Sequence, residues 1–133
     1  MLDTGIVIAG LGSRSGLPAR VLRSALDSRK ALVSAALLAE YARALNSERA
    51  RRHHLLSSAQ LSMFLAQVEI VSRLVAPRPG PGCPDRRDQH LWDILNAVPD
   101  SILVTGEAAL LSSQEFPGRV LSPREFVERH LSA

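Results

Sequence analysis

The feature that most constrains the fold is an alternation of short apolar segments with longer segments of helical periodicity. Apolar residues recur every three or four positions in four segments that are therefore predicted helices, at about 17–29, 34–46, 57–73 and 88–97. Short apolar segments typical of buried strands lie at 31–34, 102–104 and 119–121. Strands that alternate with helices favour a parallel sheet covered on both faces. We therefore expect an α/β fold with three layers, α/β/α, around a short and mostly parallel sheet.

Two pairs of polar residues predict where helices begin. Ser57 with Gln60, and Ser122 with Glu125, have the spacing of a capping box, and the second pair encloses a proline that suits a first helical turn. The segment 77–82, Pro-Arg-Pro-Gly-Pro-Gly, cannot continue a helix or a central strand. It is expected to be a stiff surface connection and not a boundary between domains.

Length and composition indicate one globular unit. The 133 residues are close to the commonest domain size, so residues 1–133 are expected to form a single domain. No apolar run approaches the roughly 18 residues that span a bilayer, and no basic region precedes an apolar stretch at the N-terminus. Neither a membrane span nor a secretory signal is therefore predicted. Cys83 is the only cysteine, which excludes an internal disulfide and agrees with a cytoplasmic location.

Four acidic residues fall where a parallel α/β sheet binds ligands: Asp3, Glu40, Asp88 and Glu107. Asp3 and Glu107 follow strand candidates, and Asp88 lies at the N-terminal end of a helical stripe that faces the sheet. Glu40 borders the apolar stripe of its own helix. Because ligands bind beyond the carboxyl ends of parallel strands, these side chains can converge. Taken singly, Asp88 and Glu107 are explained as well by the helix dipole, and Glu40 by solvation.

Converging carboxylates favour a divalent cation. Two bare charges about 4 Å apart repel by roughly 4 kcal/mol at an effective dielectric constant near 20, and a cation removes that cost. The ligands are hard oxygens, without a cysteine or histidine cluster at ligand spacing, so Mg²⁺ or Mn²⁺ is indicated instead of zinc. Such an ion lowers the pKa of a bound water and offsets charge on a phosphodiester. The predicted chemistry is phosphodiester hydrolysis.

Arginine supplies almost all the basic charge, because Lys30 is the only lysine. Its planar fork suits bidentate contact with phosphate, so a nucleic-acid partner fits the composition. The candidate RNA contacts are Arg14, Arg51, Arg52, Arg86 and Arg87. A solvated basic face explains the cluster around residues 49–54 equally well, and a net charge of +3 argues only for nonspecific attraction.

A glycine-rich segment offers a competing interpretation of the N-terminal region. Residues 6–9 are apolar and lead to Gly10, Gly12 and Gly16, as the strand and loop of a dinucleotide site do. The spacing is Gly-x-Gly-x-x-x-Gly instead of Gly-x-Gly-x-x-Gly, and no acid ends the next strand candidate. A flexible loop is therefore favoured over a dinucleotide site.

Four short motifs occur together in the order and approximate spacing of one protein family. They are Leu2-Asp3-Thr4-Gly5-Ile6-Val7-Ile8, Val33-Ser34-Ala35-Ala36-Leu37-Leu38-Ala39-Glu40, Asp88-Gln89-His90-Leu91 and Leu103-Val104-Thr105-Gly106-Glu107. In this pattern the chain resembles the PIN-domain family over essentially its whole length. The closing segment 121–126, Leu-Ser-Pro-Arg-Glu-Phe, resembles the end of the toxin-like branch of that family.

The resemblance implies an endoribonuclease that depends on Mg²⁺ or Mn²⁺. The matching positions are Asp3, Glu40, Asp88 and Glu107 as catalytic acids, with Thr4 and Thr105 as hydrogen-bonding neighbours. In this interpretation Glu40 completes the metal shell or orients the attacking water, while the other three acids hold one or two cations. Many family members are toxins of toxin and antitoxin pairs, and dimers are common. The implied partners are therefore RNA, an antitoxin protein and a second copy of the chain.

The chain departs from the family pattern in three places, and two of them, Gly5 and Glu107, support a second hypothesis. Gly5 stands where the family usually has asparagine, and Glu107 stands where it usually has aspartate. The extra methylene of glutamate moves the carboxylate oxygens by more than about 1 Å, and misplacement on that scale costs on the order of a hundredfold in rate. Only Met1 and Leu2 precede Asp3, so either the first strand is short or the start codon lies upstream. The second hypothesis is a PIN-like module with impaired catalysis that binds RNA or a protein.

Overall fold

The computed structural model describes residues 1–131. The helices in this part of the chain are α1 (Thr4–Gly12), α2 (Leu17–Ser28), α3 (Ala35–Leu45), α4 (Glu48–His54), α5 (Ser58–Val71), α6 (Gln89–Ala97), α7 (Ala108–Leu111) and α8 (Pro123–Phe126). The strands are β1 (Leu32–Val33), β2 (Arg73–Leu74), β3 (Leu103–Val104) and β4 (Val120–Leu121). A 3₁₀ turn, Arg86–Asp88, precedes α6, and a π-helical turn, Val127–Leu131, continues α8.

All the strand pairs are parallel and very short. β1 pairs with β2, and β3 pairs with β4. The segment before α1 joins β3 through a single parallel bridge between Leu2 and Val104. The same segment is also held by a side chain of α3: the buried Tyr41 hydroxyl donates a hydrogen bond to the Leu2 carbonyl at 2.5 Å. The expected α/β fold with a short parallel sheet is confirmed, in agreement with an α/β/α layering.

Most of the predicted elements form where the sequence placed them. The capping box of Ser57 with Gln60 opens α5, and that of Ser122 with Glu125 opens α8. Helix α5 ends at Val71, two residues before the predicted end at 73, because Ser72 is extended and leads into β2. Strand β2 was not predicted, since both of its residues are exposed and carry no buried-strand pattern.

The N-terminal region and the segment after α3 also add to the sequence-based picture. Residues 6–9 lie inside helix α1, so they are not the strand that a dinucleotide-binding loop requires. Helix α4, which contains the basic cluster, was not predicted because its apolar content is low. Ser47 caps it by accepting a hydrogen bond from the backbone of Ala50. None of the helices within residues 1–131 is both long and apolar enough to cross a membrane.

The proline-rich segment is fastened along helix α6. The Asn96 amide donates to the carbonyls of Arg78 and Pro79 at 3.0 and 2.9 Å. The side-chain amide of Gln89 bonds the segment twice. Its Nε2 donates to the Pro81 carbonyl, and its Oε1 accepts from the Cys83 backbone N–H at 2.7 Å. We call residues 77–83, held in this way, the α6 strap. It leads directly into the turn that carries the acids before α6.

Candidate metal centre

Asp3 is the buried member of the predicted acid set. Asp3 is 7% exposed and lies between Leu2, which forms the bridge to β3, and the first residue of α1. The Thr105 hydroxyl donates to one carboxylate oxygen at 2.7 Å, and the Thr4 hydroxyl lies 3.4 Å from the other. Burial raises the pKa of Asp3, and the hydrogen bond from Thr105 opposes that rise. Both threonine hydroxyls therefore contact the Asp3 carboxylate.

Thr105 connects Asp3 to Glu107. Its side chain is fully buried at the end of β3, and its oxygen accepts a hydrogen bond from the Glu107 backbone at 3.0 Å while donating to Asp3. This places Glu107 immediately before α7, where it is exposed. A single hydroxyl thus fixes the spacing between two elements that lie far apart in sequence.

Asp88 lies against Glu107. The pKa of Glu107 is raised to about 7, first because its carboxyl hydrogen-bonds Asp88, then because of partial burial and the charges of Asp88, Asp3 and Asp85. The charge of Asp88 also acts on Asp3. Three of the four predicted acids, which span most of the chain, are therefore mutual neighbours at one edge of the sheet.

Asp85 is an additional acid that the sequence reasoning missed. Carboxylate oxygens of Asp85, Asp88 and Glu107 all lie within 4.8 Å of one another, and we call these residues the acid triad. The spacing of three residues between Asp85 and Asp88, either side of two arginines, was the available signal. This signal is not specific, because acids before a helix commonly serve as caps, and Asp85 does accept a hydrogen bond from the Arg87 backbone at 2.9 Å.

Asp85 forms an ion pair with a neighbouring arginine, Arg87. The Arg87 guanidinium contacts both of its carboxylate oxygens, at 3.2 and 2.8 Å, and this hydrogen bonding lowers the pKa of Asp85. The positive charge of Arg87 extends to Asp88 and Glu107. Negative charge at this edge is thus partly balanced by one exposed arginine.

Glu40 is placed differently from the other predicted acids. Its carboxylate forms a two-pronged contact with Arg43, one turn further along α3, at 2.5 and 2.9 Å. This hydrogen bonding lowers the pKa of Glu40, and His90 of α6 contributes a smaller electrostatic effect. Glu40 does not belong to the acid triad. It faces α6 near His90, whose Nδ1 is buried and has no hydrogen-bond partner within residues 1–131.

Gly5 leaves open space beside Asp3. It lies in the first turn of α1, it is exposed, and a Cβ built on it meets no other atom within 4 Å. A Cβ therefore fits here without displacing its neighbours. The glycine is not required by packing, so its effect on the site is the absence of a polar side chain.

The predicted RNA-contacting arginines fall into two groups. Arg86 and Arg87 occupy the turn just before Asp88, next to the acids. Arg51 of α4 forms hydrogen bonds within the protein: its guanidinium donates to the Asn46 side chain at 2.8 Å and to the Ser58 hydroxyl at 3.3 Å. Arg52 lies 4.0 Å from Glu48, and Arg14 is exposed in the loop between α1 and α2. The arginines nearest the acids are therefore those of the 3₁₀ turn.

The donor set fits a hard divalent cation. Every side-chain ligand in the acid triad is a carboxylate oxygen, the chemistry preferred by Mg²⁺ and Mn²⁺. Without a cation these carboxylates crowd one another so closely that Glu107 retains a proton near neutral pH. A cation that replaces this proton would satisfy Asp88 and Glu107 together.

Comparison with known proteins identifies a family but no individual relative. A family model described as PIN domain matches residues 1–109, which include Asp3, Glu40, Asp85, Asp88 and Glu107. No curated protein and no solved structure gives a significant match. The matched span ends two residues after Glu107 and leaves β4 and α8 outside it.

Proposed function

The chain belongs to the PIN-domain family, and from that premise we propose that it is a divalent-metal-dependent endoribonuclease whose site is the edge formed by Asp3, Asp88 and Glu107. The family consists generally of metal-dependent nucleases. The observation that carries the proposal is the acid triad, in which Asp88 and Glu107 are held close enough to share a proton.

The proposed roles follow from position and charge. Asp88 and Glu107 bind the cation directly, and Asp3 adds its charge from the buried side. When bound, Mg²⁺ or Mn²⁺ supplies an activated water and offsets the charge that develops on the scissile phosphate. Thr105 holds Asp3 and the Glu107 backbone at a fixed spacing, and Thr4 hydrogen-bonds Asp3 from the opposite oxygen.

Asp85 and Glu40 have secondary roles in this proposal. Asp85 extends the cation site outward, and its Arg87 partner is free to turn toward a phosphate. Glu40 acts on the attacking water only after releasing Arg43. The two exposed arginines of the turn, Arg86 and Arg87, contact the RNA backbone, and Arg14 and Arg52 add attraction from further away.

The toxin role belongs to the same proposal. The end of the chain resembles the toxin-like branch, and a toxin requires an antitoxin protein that keeps the acids from RNA. A cytoplasmic location suits an RNA substrate and the single buried cysteine. A second copy of the chain is the other proposed partner.

Three observations favour a second candidate function. Glu40 is paired with Arg43, Gly5 lacks a polar side chain, and Glu107 replaces the usual aspartate. Together these features suit a PIN-like module that binds RNA, or a protein, with little or no cleavage. Turnover separates this candidate from the nuclease, because an impaired site can still bind a cation.

The deciding experiment is cleavage of labelled single-stranded RNA by the purified full chain with Mg²⁺ or Mn²⁺, with and without a chelator. Asp88→Asn removes a central ligand, and Asp27→Asn, on the exposed face of α2, is the matched control. We expect metal-dependent cleavage that Asp88→Asn abolishes and Asp27→Asn leaves intact. Cleavage that survives in Asp88→Asn would indicate a contaminant, and a folded protein that never cleaves would support the binding module.

A further inference from the structure

The side-chain amide of Gln89 connects three parts of the chain beside the acid triad. Gln89 is the first residue of α6 and directly follows Asp88. Its Oε1 accepts from the Cys83 backbone N–H at 2.7 Å, while its Nε2 donates to the Pro81 carbonyl at 3.1 Å and to the Asp93 carboxylate at 3.0 Å. One half-buried side chain therefore joins the end of the α6 strap to the first turn of α6.

The bonding partners fix the orientation of this amide. The Cys83 backbone N–H only donates and the Pro81 carbonyl only accepts, so the amide oxygen faces the first and the amide nitrogen faces the second. Asp93 lies four residues further along α6, on the same face, and accepts the bond that holds the side chain in place. This position thus uses both the donor and the acceptor of glutamine, which an apolar side chain of the same length lacks.

The bond between Cys83 and Gln89 closes a short turn that contains two acids. We call residues 84–88 the acid turn, because it carries Asp85 and Asp88 of the acid triad. The other three residues of the turn are exposed, so packing contributes little to its shape. Within the turn, the Asp88 backbone donates to the Asp85 carbonyl at 3.0 Å. The shape of the acid turn therefore depends on hydrogen bonds, and Gln89 supplies the one that closes it.

A closed turn holds together two side chains that repel each other. Carboxylate oxygens of Asp85 and Asp88 lie within 4.8 Å, and like charges at that separation drive a loosely held turn to open. Arg87 balances part of the charge of Asp85. With the turn already closed, a cation does not have to order its ligands when it binds, and this preorganisation increases affinity.

We infer that Gln89 is a positioning residue of the cation site, which sets the separation of Asp85 and Asp88 by closing the acid turn. This inference rests on the proposed cation site and adds a size preference to it. Mg²⁺ demands nearly ideal octahedral geometry with short bonds, whereas Ca²⁺ accepts longer bonds and more ligands. A turn that is held closed therefore favours the smaller ion, and a turn that opens loses this discrimination.

The first test is Mn²⁺ binding by the purified full chain, followed through the electron paramagnetic resonance signal of the free ion. Gln89→Met removes the amide and keeps the length of the side chain. Asn96→Leu is the matched control, since it removes the other amide that fastens the α6 strap, at carbonyls further from the acids along the chain. We expect the Kd for Mn²⁺ to rise at least about tenfold in Gln89→Met and to change less than about twofold in Asn96→Leu. Equal losses in the two variants, or none in Gln89→Met, would overturn the inference.

Competition by Mg²⁺ and Ca²⁺ in the same titration separates a misplaced pair of ligands from a weakened fold. The wild-type chain should prefer Mg²⁺ over Ca²⁺, and Gln89→Met should reduce that preference several-fold, because an opened turn costs the smaller ion more. A fold that is merely less stable lowers both affinities by the same factor, and that result would contradict the inference.

Asp88→Asn distinguishes failure of the inference from failure of the proposed function. A wild-type chain that binds no Mn²⁺ would contradict both. Binding that Asp88→Asn abolishes and Gln89→Met retains at full strength would contradict the role of Gln89 alone.

The thiol of Cys83 provides a second measurement on the wild-type chain, which needs no variant to fold. Cys83 is the only cysteine and is 9% exposed, and its backbone is held by Gln89. Because cation binding and closure of the acid turn stabilise each other, saturating Mn²⁺ should slow the reaction of this thiol with a neutral aromatic disulfide several-fold. Without metal, Gln89→Met should react faster than wild type and Asn96→Leu should not. A wild-type rate that Mn²⁺ leaves unchanged would refute the coupling between the cation and the turn.

Discussion

We call the edge of the sheet formed by Asp3, Asp88 and Glu107 the acid edge. At the residue scale, the single hydroxyl of Thr105 hydrogen-bonds two of these acids, Asp3 and Glu107. It donates to Asp3 at 2.7 Å and accepts from the Glu107 backbone at 3.0 Å, and it is fully buried. Its replacement by a residue of similar shape without the hydroxyl leaves a buried carboxylate short of a donor. The position of Thr105 therefore predicts an effect on stability and on activity together.

For Thr105→Val we expect a loss of about 1–3 kcal/mol in the free energy of unfolding, because a buried acceptor is left unsatisfied. RNA cleavage should fall roughly tenfold to a hundredfold, since Asp3 and Glu107 lose their common anchor. Urea unfolding and the cleavage assay measure the two effects. Thr105→Ser keeps the hydroxyl and should recover most of both, whereas equal losses in the two variants would argue that packing alone matters.

Glu107 predicts a dependence of stability on pH. Contact with Asp88 raises the pKa of Glu107 to about 7 from an ordinary value of 4.5. Between these values the folded metal-free protein keeps a proton that the unfolded chain has released, so the free energy of unfolding falls as pH rises through this window. A cation needs the ionised form, so the gain in Tm on adding Mn²⁺ should grow between about pH 6 and 8.

Thermal unfolding with chelator and with Mn²⁺ across that pH range measures both trends. Glu107→Gln should flatten the pH dependence and remove most of the metal-induced gain. A gain in Tm that is independent of pH in the wild-type chain would contradict the assignment of Glu107 as a ligand.

Gly5 predicts a gain of function. A Cβ added at this position meets no neighbour, and asparagine is the residue usual for the family at this place. Gly5→Asn should fold as well as wild type and raise RNA cleavage several-fold, because an amide beside Asp3 and Thr4 can hydrogen-bond the metal shell. Gly5→Ala, which changes the helix without adding a polar group, is the control. Identical rates for the two variants would show that the amide has no role.

At the element scale, helix α6 is closed at its C-terminal end by a side chain, that of Arg119, which directly precedes β4. The Arg119 guanidinium donates to the carbonyls of Leu95 at 2.6 Å, Val98 at 3.0 Å and Ser101 at 2.8 Å. These bonds satisfy carbonyls that a helix end otherwise leaves without partners.

Arg119→Met keeps much of the side-chain length but removes these donors. We expect a loss of roughly 2–4 kcal/mol in the free energy of unfolding, because the carbonyls of Leu95 and Ser101 both lose their donor, whereas the Val98 carbonyl keeps its bonds from Ser101. Arg119→Lys should recover little, since one ammonium group cannot reproduce the planar fork. Arg124→Met, at an exposed position of α8, serves as the control in the same denaturant titration. A loss no larger than that of the control would refute this role.

At the whole-molecule scale, the acid edge depends on contacts between the beginning and the end of the chain. Leu2 bridges Val104, and the Asp3 backbone donates to the Val104 carbonyl at 3.0 Å. β3 in turn pairs with β4, beyond the last residue matched by the family model. Residues from both termini thus support one site, which argues that the domain unfolds as a unit.

We therefore predict a single cooperative unfolding transition. Fluorescence of Trp92, the only tryptophan and 1% exposed, reports the core around α6, and far-UV circular dichroism reports all the helices. The two probes should give coincident denaturant transitions. Separate transitions would show that residues 1–133 do not behave as one domain.

The sequence alone determined the elements whose signals are local. The capping boxes at Ser57 and Ser122 begin helices as predicted, because the donor and acceptor of each lie three residues apart. The helical periodicity of α6 and the apolar segment of β3 likewise predict each element and its buried face, because these signals lie within about ten consecutive residues. Order and approximate spacing of the four motifs were enough to identify the family, which the family match then confirmed.

Only the tertiary structure decided which acids meet and which side chains neutralise them. Asp85 joins Asp88 and Glu107 because the α6 strap and the 3₁₀ turn bring it there, while Glu40 is held by Arg43 one helical turn away. Strand β2 has no apolar pattern and exists because its backbone pairs with β1. Electrostatic contact depends on separations of a few ångströms between residues up to a hundred positions apart, and short-range sequence patterns do not contain those distances.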